Sequence, residues 1–280
     1  MDKKTTVPFL KWPGGKRWLT HRIIDRIPRI EGNYIEPFLG GGAFFFALNP
    51  TCAKLSDINA ELIETYKVMR DKPELLRDKM LCHQKYHNKE YYYKIRSMKP
   101  RTDINRASRF IYLNRTCFNG MYRVNKKGEF NVPKGTKDNF TYDIDVFEEY
   151  STMLKNAELL TTDFEIAIES AKKGDLIFAD PPYAMNSGSQ FIKYNDKLFT
   201  WEDQKRLFDS LKKASQRGAH VILTNAFCEE LKTMYEEAGF FVVEITRACS
   251  ISGKAVNRQR VKELLISTYD FGEMENVIDE

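Results

Sequence analysis

Short apolar runs, each closed by glycine, proline or an acid, alternate along much of this chain with longer segments of helical periodicity. Tyr34-Ile35-Glu36, Ala53–Ser56, Leu159–Phe164 (ending in the acid Asp163 and an aromatic) and Leu176-Ile177-Phe178-Ala179 read as strands. His220–Thr224, Phe240–Thr246 and Lys262–Tyr269 repeat that signature. Apolar residues at helical spacing mark Leu19, Ile23, Ile24 and Ile27, ending near Pro28. The same spacing predicts helices over Asn59–Arg70, Pro73 to about Met98, Asn105–Arg115, Glu165–Lys173, Trp201–Arg217 and Cys228–Ala238. Strands alternating with helices predict an α/β fold with a doubly wound, mostly parallel sheet. The alternation lapses between Asn59 and Leu159. There, Tyr122-Arg123-Val124-Asn125, Lys126-Lys127-Gly128 and Phe130-Asn131-Val132 predict a β-hairpin with Arg123 and Asn125 on one face. Met185–Tyr194 and the basic Arg247–Arg260 read as loops.

Composition narrows the class. A chain of 280 residues, 42% hydrophobic and 30% charged, can bury a core and has the make-up of a soluble globular protein. No apolar run approaches membrane-spanning length, and Met1-Asp2-Lys3-Lys4 precedes no signal-type segment, so no membrane partner and a cytoplasmic location are expected. Cys52, Cys82, Cys117, Cys228 and Cys249 are scattered without a C-x-x-C pair, which fits reduced thiols. Net charge is +5, and its placement matters more than its size. Tyr93–Lys137 carries twelve Lys/Arg against Asp103 and Glu129, so this segment is basic and the rest of the chain acidic. Phe110, Tyr112, Phe118 and Tyr122 are interleaved with the basic residues, a combination that suits nucleic acid better than a plain solvated face.

Three stretches carry candidate chemistry. Asp180-Pro181-Pro182-Tyr183 follows the Leu176–Ala179 strand, and ligands bind at strand carboxyl ends in open α/β sheets. Proline fixes φ and donates no hydrogen bond, so the stretch is a rigid cluster of acceptors beside an aromatic ring. That suits an exocyclic amine on a flat base. Glu36-Pro37-Phe38-Leu39-Gly40-Gly41-Gly42 leads from a strand through a glycine turn into an apolar helix, where a backbone can approach a ligand closely. Asp57 ends the next strand and is placed for ribose hydroxyls. Pro13-Gly14-Gly15 is a breaker that can bring Trp12 and Lys16 onto one small ligand; it lacks the residues of a P-loop. His83 and His87 are four apart with Cys82 adjacent, but without further ligands they predict no metal site.

In this order, Lys11-Trp12-Pro13-Gly14-Gly15-Lys16, Glu36–Gly42 and Asp180-Pro181-Pro182-Tyr183 resemble the Dam-type, α-class DNA adenine-N6 methyltransferases. Phe118–Gly135 is similar to that family's DNA-reading hairpin, and Val261-Lys262-Glu263-Leu264-Leu265 to its closing strand. The resemblance implies a Rossmann-like methyltransferase core over 1–58 and 157–280, with an inserted, mainly helical DNA-recognition domain over 59–156. It implies S-adenosyl-L-methionine as cofactor, held by Trp12, Lys16, Glu36, Phe38, Gly40, Gly42, Asp57 and Asp180, with Asp163 and Phe164 at its adenine ring. It implies double-stranded DNA as substrate, met by Lys11, Arg115, Asn119, Met121, Arg123, Asn125 and Pro133. A GATC target and a cognate restriction endonuclease are further expectations. The chain departs from the pattern at Thr136 and Lys137, where some members place an arginine, and at Met185, where they place a proline.

On this resemblance Asp180, Pro181, Pro182 and Tyr183 are catalytic. The carboxylate and the Pro181 carbonyl accept the amine hydrogens, and Tyr183 stacks on a flipped base. No metal is required. An RNA adenine methyltransferase, a DNA cytosine-N4 methyltransferase and a non-catalytic nucleic-acid-binding relic remain open at this point.

Overall fold

The computed structural model describes residues 7–183 other than 126, 139, 142 and 144, together with 199–248 and 260–272. Seven strands form one mostly parallel sheet: β1 (Tyr34–Glu36), β2 (Ala53–Asp57), β3 (Ala157–Thr161), β4 (Leu176–Ala179), β5 (His220–Ala226), β6 (Phe241–Ala248) and β7 (Arg260–Ser267). Their order is β3-β2-β1-β4-β5-β7-β6. The pairs β2/β3, β1/β4 and β4/β5 are parallel. β7 is antiparallel to both β5 and β6, a departure from the parallel run that the pattern alone suggests. β6 ends at Ala248 and β7 begins at Arg260, a link shorter than the crossover of about a dozen or more residues that parallel neighbours need. The order reverses between β1 and β4, so their carboxyl ends flank a topological switch point.

The chain divides into two compact units. The first, Met1–Asp25 with Leu39–Thr161, contains β2, β3 and helices α1 (Arg17–Ile23), α2 (Ala43–Leu48), α3 (Ala60–Asp71), α4 (Pro73–Tyr86), α5 (Lys89–Ser97), α6 (Asp103–Thr116) and α7 (Phe147–Leu154). Aromatic rings dominate one part of its core. Phe9 lies 4.8 Å from Tyr66 and 5.4 Å from Tyr150, centroid to centroid, and the Tyr150 hydroxyl donates to the Val7 carbonyl at 2.6 Å.

Two sequence expectations change in this unit. The helix predicted from Pro73 to about Met98 breaks at His87, whose ψ of 116° is extended, and Asn88 caps α5 by accepting from the Tyr91 N–H at 2.8 Å. An asparagine that satisfies an orphan N–H starts a new helix despite continuous periodicity. Among the described residues the hairpin has no strand ladder; beyond the Cys117–Lys134 bridge at its base it forms as an isolated bridge, Val124 to Phe130. It is flanked by Asn125 N–H to the Glu129 carbonyl at 2.9 Å and Asn131 N–H to the Arg123 carbonyl at 3.1 Å. Lys126 lies outside the described residues.

The second unit, Arg26–Phe38 with Thr162–Glu280, contains β1, β4 to β7, and helices α8 (Phe164–Glu169), α9 (Trp201–Gln216) and α10 (Glu229–Glu237). Ile35, Ile177, Ala179, Val221, Leu223, Leu264 and Ile266 of the strands pack with Ile168, Leu207, Leu211, Leu231 and Tyr235 of the helices. A reciprocal capping box starts α9: Asp203 N–H donates to Thr200 Oγ1 at 3.2 Å and Thr200 N–H donates to Asp203 Oδ2 at 2.9 Å. α8 begins one residue earlier than predicted and stops at Glu169 rather than Lys173. The predicted loop Met185–Tyr194 and residues 249–259 lie outside the described residues, as does Cys249; Cys52, Cys82, Cys117 and Cys228 carry free thiols. Among the described residues no helix is long and apolar enough to cross a membrane.

The entrances of β1, β4 and β5 are tied together by one buried carboxylate. Asp175 accepts from the backbone N–H of Asn33 at 2.7 Å and of Lys172 at 2.9 Å, and its own carbonyl accepts from His220 N–H at 2.8 Å. Gly32 is required beside it, since a Cβ there would fall 2.1 Å from Asp175 Oδ1. Asp175→Ala is expected to lower stability by about 1–3 kcal/mol, because two backbone donors lose their acceptor. Urea unfolding should show a lower midpoint at unchanged slope; an unchanged midpoint would refute this role.

Candidate active site

In the first unit the glycine turn is shaped by the side chains around it. Gly40 and Gly42 have φ of +46° and +66°, which side-chain-bearing residues rarely adopt. A Cβ on Gly40 would fall 2.7 Å from Trp12 Cδ1, and one on Gly42 would fall 2.9 Å from the Tyr66 hydroxyl. That hydroxyl donates to the Gly40 carbonyl at 3.1 Å. Asp57, at the end of β2, accepts from Gly40 N–H at 3.1 Å and Asn59 N–H at 2.9 Å. Burial pushes the Asp57 carboxyl above its ordinary value, and those backbone donors offset part of the shift. Trp12, Gly40, Gly42 and Asp57 are thus brought together. Lys16 is buried, with its ammonium on the Gly14 carbonyl at 2.9 Å.

The predicted DNA-facing residues share this unit. Asn114 Oδ1 accepts from Lys11 N–H at 2.8 Å, and Asn114 Nδ2 donates to the Lys11 carbonyl at 2.7 Å. Sequence reasoning did not single out this buried asparagine. Its trace is an amide directly after the apolar run Phe110–Leu113. Burial, Arg115 and Lys137 hold the Lys11 ammonium below its ordinary pKa. Asn119 sits in the left-handed region at φ +54°, a conformation that asparagine tolerates. Phe118 N–H donates to the Pro133 carbonyl at 2.9 Å, and Cys117 bridges Lys134, closing the base of the hairpin. Met121 is half-buried and Pro133 exposed.

Within the hairpin, Arg123 is exposed and donates from Nε to Asn131 Oδ1 at 2.8 Å. Asn125 instead builds the turn, accepting from Lys127 N–H at 2.9 Å and Glu129 N–H at 3.0 Å. Tyr122 stacks on Trp12 at 5.8 Å and donates its hydroxyl to Glu61 at 2.9 Å, so the hairpin is braced against the entry segment. Several members of the basic block hold structure. Arg106 pairs bidentately with Glu64, Arg109 donates to the carbonyls of Ile95 and Arg96, and Arg96 reaches the Val132 carbonyl at 3.1 Å.

In the second unit β4 runs into Asp180, which is half-buried, then buried Pro181, exposed Pro182 and half-buried Tyr183. Ala179 is paired with Leu223 of β5, which brings the next residue, fully buried Thr224, level with Asp180. Thr224 Oγ1 donates to Asp180 Oδ1 at 2.7 Å. The Tyr183 hydroxyl donates to Glu263 Oε2 at 2.8 Å. Glu263 lies on β7 and is paired with Ala226 of β5. Thr224 did not stand out in the sequence and Glu263 entered only within the Val261–Leu265 closing-strand resemblance, because strand pairing across distant segments decides what each side chain meets.

Glu36, also buried, accepts from the Tyr34 hydroxyl at 2.8 Å, and burial together with that carboxylate raises the Tyr34 pKa. Phe38 stacks on Phe164 at 5.3 Å. Asp163 does not end a strand as the pattern suggests; it is the N-cap of α8, accepting from Glu165 N–H at 3.0 Å. Arg206 holds Asp163 at 2.9 Å and lies 4.9 Å over the Phe164 ring, so Phe38, Asp163 and Phe164 form one platform.

His83 and His87 are built into an aromatic cluster. Their Nδ1 atoms meet the hydroxyls of Tyr91 at 2.9 Å and Tyr112 at 2.7 Å. Among the described residues no group of three His, Cys, Asp or Glu is arranged to hold a metal ion.

Residues 12–249 match the profile of the D12 class N6 adenine-specific DNA methyltransferase family. The chain is 37% identical over 272 residues to the Type II methyltransferase M1.LlaDCHI of Lactococcus lactis subsp. cremoris, a match covering 94% of this chain and 95% of that protein. It is 38% identical over 287 residues to the Type II methyltransferase M.MjaIII of Methanocaldococcus jannaschii, covering 94% and 99%. The DNA adenine methylase of Vibrio cholerae is 32% identical over 263 residues, covering 92% and 94%.

The aromatic cluster has a pH consequence. Burial, with Lys79 nearby, lowers the His83 pKa from 6.5 to about 4. Between those values the unfolded chain binds a proton that the folded chain refuses. Stability is therefore full above pH ~6.5 and falls as the pH drops toward ~4, by roughly 3 kcal/mol from this residue. Urea unfolding of wild type and H83F across this window should show a shallower pH slope in the variant; identical slopes would sink the assignment.

Proposed function

The chain belongs to the D12 class N6 adenine-specific DNA methyltransferases, and from that premise we propose that Asp180, Pro181, Pro182 and Tyr183 receive the target adenine and that S-adenosyl-L-methionine is the methyl donor. The reaction is methylation of DNA at the adenine N6 amine. The observation that carries these site assignments is the Asp180 carboxylate, which follows β4 at the switch point, precedes two prolines and is held by Thr224.

The N6 amine is a poor nucleophile because its lone pair is delocalised into the ring. Asp180 and the Pro181 carbonyl each accept one amine hydrogen, which draws the nitrogen toward tetrahedral geometry. When bound, S-adenosyl-L-methionine supplies a methyl group already activated by its sulfonium charge. The acceptors are in place before the base arrives, so positioning and preorganised electrostatics supply most of the acceleration. The amine is inaccessible within a duplex; the base flips out and Tyr183 stacks on it.

The first unit suits the donor. The backbone at Gly40 and Gly42 has to be bare, since any side chain would meet Trp12 or Tyr66. Asp57, raised by burial, gains from hydrogen-bond donors such as ribose hydroxyls. Lys16 of this unit is assigned to the donor as well; in the second unit Glu36 and Phe38 are assigned to it, and Asp163 and Phe164 to its adenine, on the resemblance of their motifs to the family's.

For sequence reading, Arg123 is the principal base reader, because guanidinium matches a guanine edge bidentately. Lys11, Asn119, Met121 and Pro133 contact or enter the duplex, with Arg115 and Asn125 supporting them. The core comprises 1–58 and 157–280, and 59–156 recognises the target, for which we propose GATC. The Type II names of two relatives support a role in restriction–modification with a cognate endonuclease.

Mapping N6-methyladenine on a plasmid modified by the protein tests base and sequence together. Asp180→Ala should cut transfer by about a thousandfold or more while duplex binding persists; full activity would overturn the catalytic assignment. Arg123→Ala should cost about 1–3 kcal/mol of discrimination at one base pair and little non-specific affinity. An unchanged sequence preference would reduce the hairpin to a phosphate holder.

A further inference from the structure

We infer that Glu263 is a positioning residue for the target base, acting through the Tyr183 phenol; this rests on the adenine-transfer reading above. The ring of proline fixes φ at Pro181 and Pro182, so the backbone leading to Tyr183 is stiff. The soft coordinates left in the Asp180–Tyr183 stretch are the side-chain torsions of its two ends. Each end is held by a fully buried side chain from a later strand. Thr224 of β5 holds the Asp180 carboxylate at 2.7 Å, and Glu263 of β7 holds the Tyr183 hydroxyl at 2.8 Å. Anchoring both Cα and phenol oxygen fixes the direction of the ring axis; the phenolic proton's preference for the ring plane then biases rotation about that axis, so the bond restrains the plane that would stack on a base.

The chemistry of Glu263 points the same way. It is 0% exposed and opens the run Glu263-Leu264-Leu265-Ile266, whose other members are buried and apolar. Its strand neighbours are Ala226 of β5 and Ile245 of β6. At such a position leucine would satisfy the sheet, whereas a buried carboxyl group is costly unless hydrogen bonds compensate it. Glu263 Oε2 is the acceptor that receives the phenol proton at 2.8 Å. Glu263 touches neither base nor methyl donor on this reading; it acts by setting the tilt of the ring that does.

The test uses the full-length protein and a duplex carrying its mapped target, with 2-aminopurine in place of the target adenine for fluorescence. Glu263→Leu and Tyr183→Phe each remove the bond, from opposite ends, and each should lower kcat about tenfold to a hundredfold. Both should reduce the 2-aminopurine signal. Affinity for S-adenosyl-L-methionine should stay within about twofold, since the donor's surroundings are untouched. Glu263→Gln keeps an oxygen acceptor and should recover most of the rate. The double variant should be no slower than either single one, because both act through one bond. Should Glu263→Leu fail to fold, Tyr183→Phe and Glu263→Gln carry the test, as neither empties the strand. Unaltered turnover and fluorescence in Tyr183→Phe, or losses that multiply in the double variant, would overturn the inference. If the wild-type protein forms no N6-methyladenine, the functional reading itself fails; an active wild type with indifferent variants fails this inference alone.

Discussion

The hydrogen bond from Thr224 to Asp180 joins two neighbouring strands, β5 and β4, beside the switch point of the sheet. Its value lies in what it immobilises. A carboxylate at a strand end can swing about two torsions, and that freedom has to be lost wherever the group is to hold one position. Here the loss is incurred on folding: proline rings stiffen the backbone beyond Asp180, and buried side chains of β5 and β7 hold the polar ends. The neighbouring strands are in turn aligned at their other ends by Asp175, whose carboxylate and carbonyl gather β1, β4 and β5. Rigidity in the second unit therefore runs from one end of the sheet to the other.

The first unit is shaped differently: its glycine turn leaves the backbone bare. Gly40 and Gly42 are bare because Trp12 and Tyr66 occupy the space a side chain would need. Trp12 is itself stacked on Tyr122, and Tyr122 is tied to Glu61 on α3, so entry segment and hairpin form one braced assembly. The basic block has to be divided in the same light. Arg96, Arg106 and Arg109 spend their donors on carbonyls and on Glu64, orienting α5, α6 and the hairpin's return arm. Exposed Arg123 belongs to the part that presents itself outward. A count of charges overstates the surface that a polyanion meets.

The sequence by itself determined the alternation of strands and helices, the rigid stretch after β4, the glycine turn and Asp57 after it. Each of these depends on local chemistry: period-two or period-3.6 patterning, fixed proline φ, glycine's access to positive φ. It was less reliable where a local cap competed with periodicity, as at Asn88, or where pairing was too brief to make a strand, as at Val124 and Phe130. Tertiary structure alone decided the partners. Thr224 meets Asp180, Glu263 meets Tyr183, Arg206 meets Asp163 and Asn114 clamps Lys11 across 44, 80, 43 and 103 positions of chain. It also decided that β7 enters between β5 and β6, which is what carries Glu263 to its place. Such contacts follow from strand order and register, which depend on the free energy of the whole packed core, so no local pattern announces them.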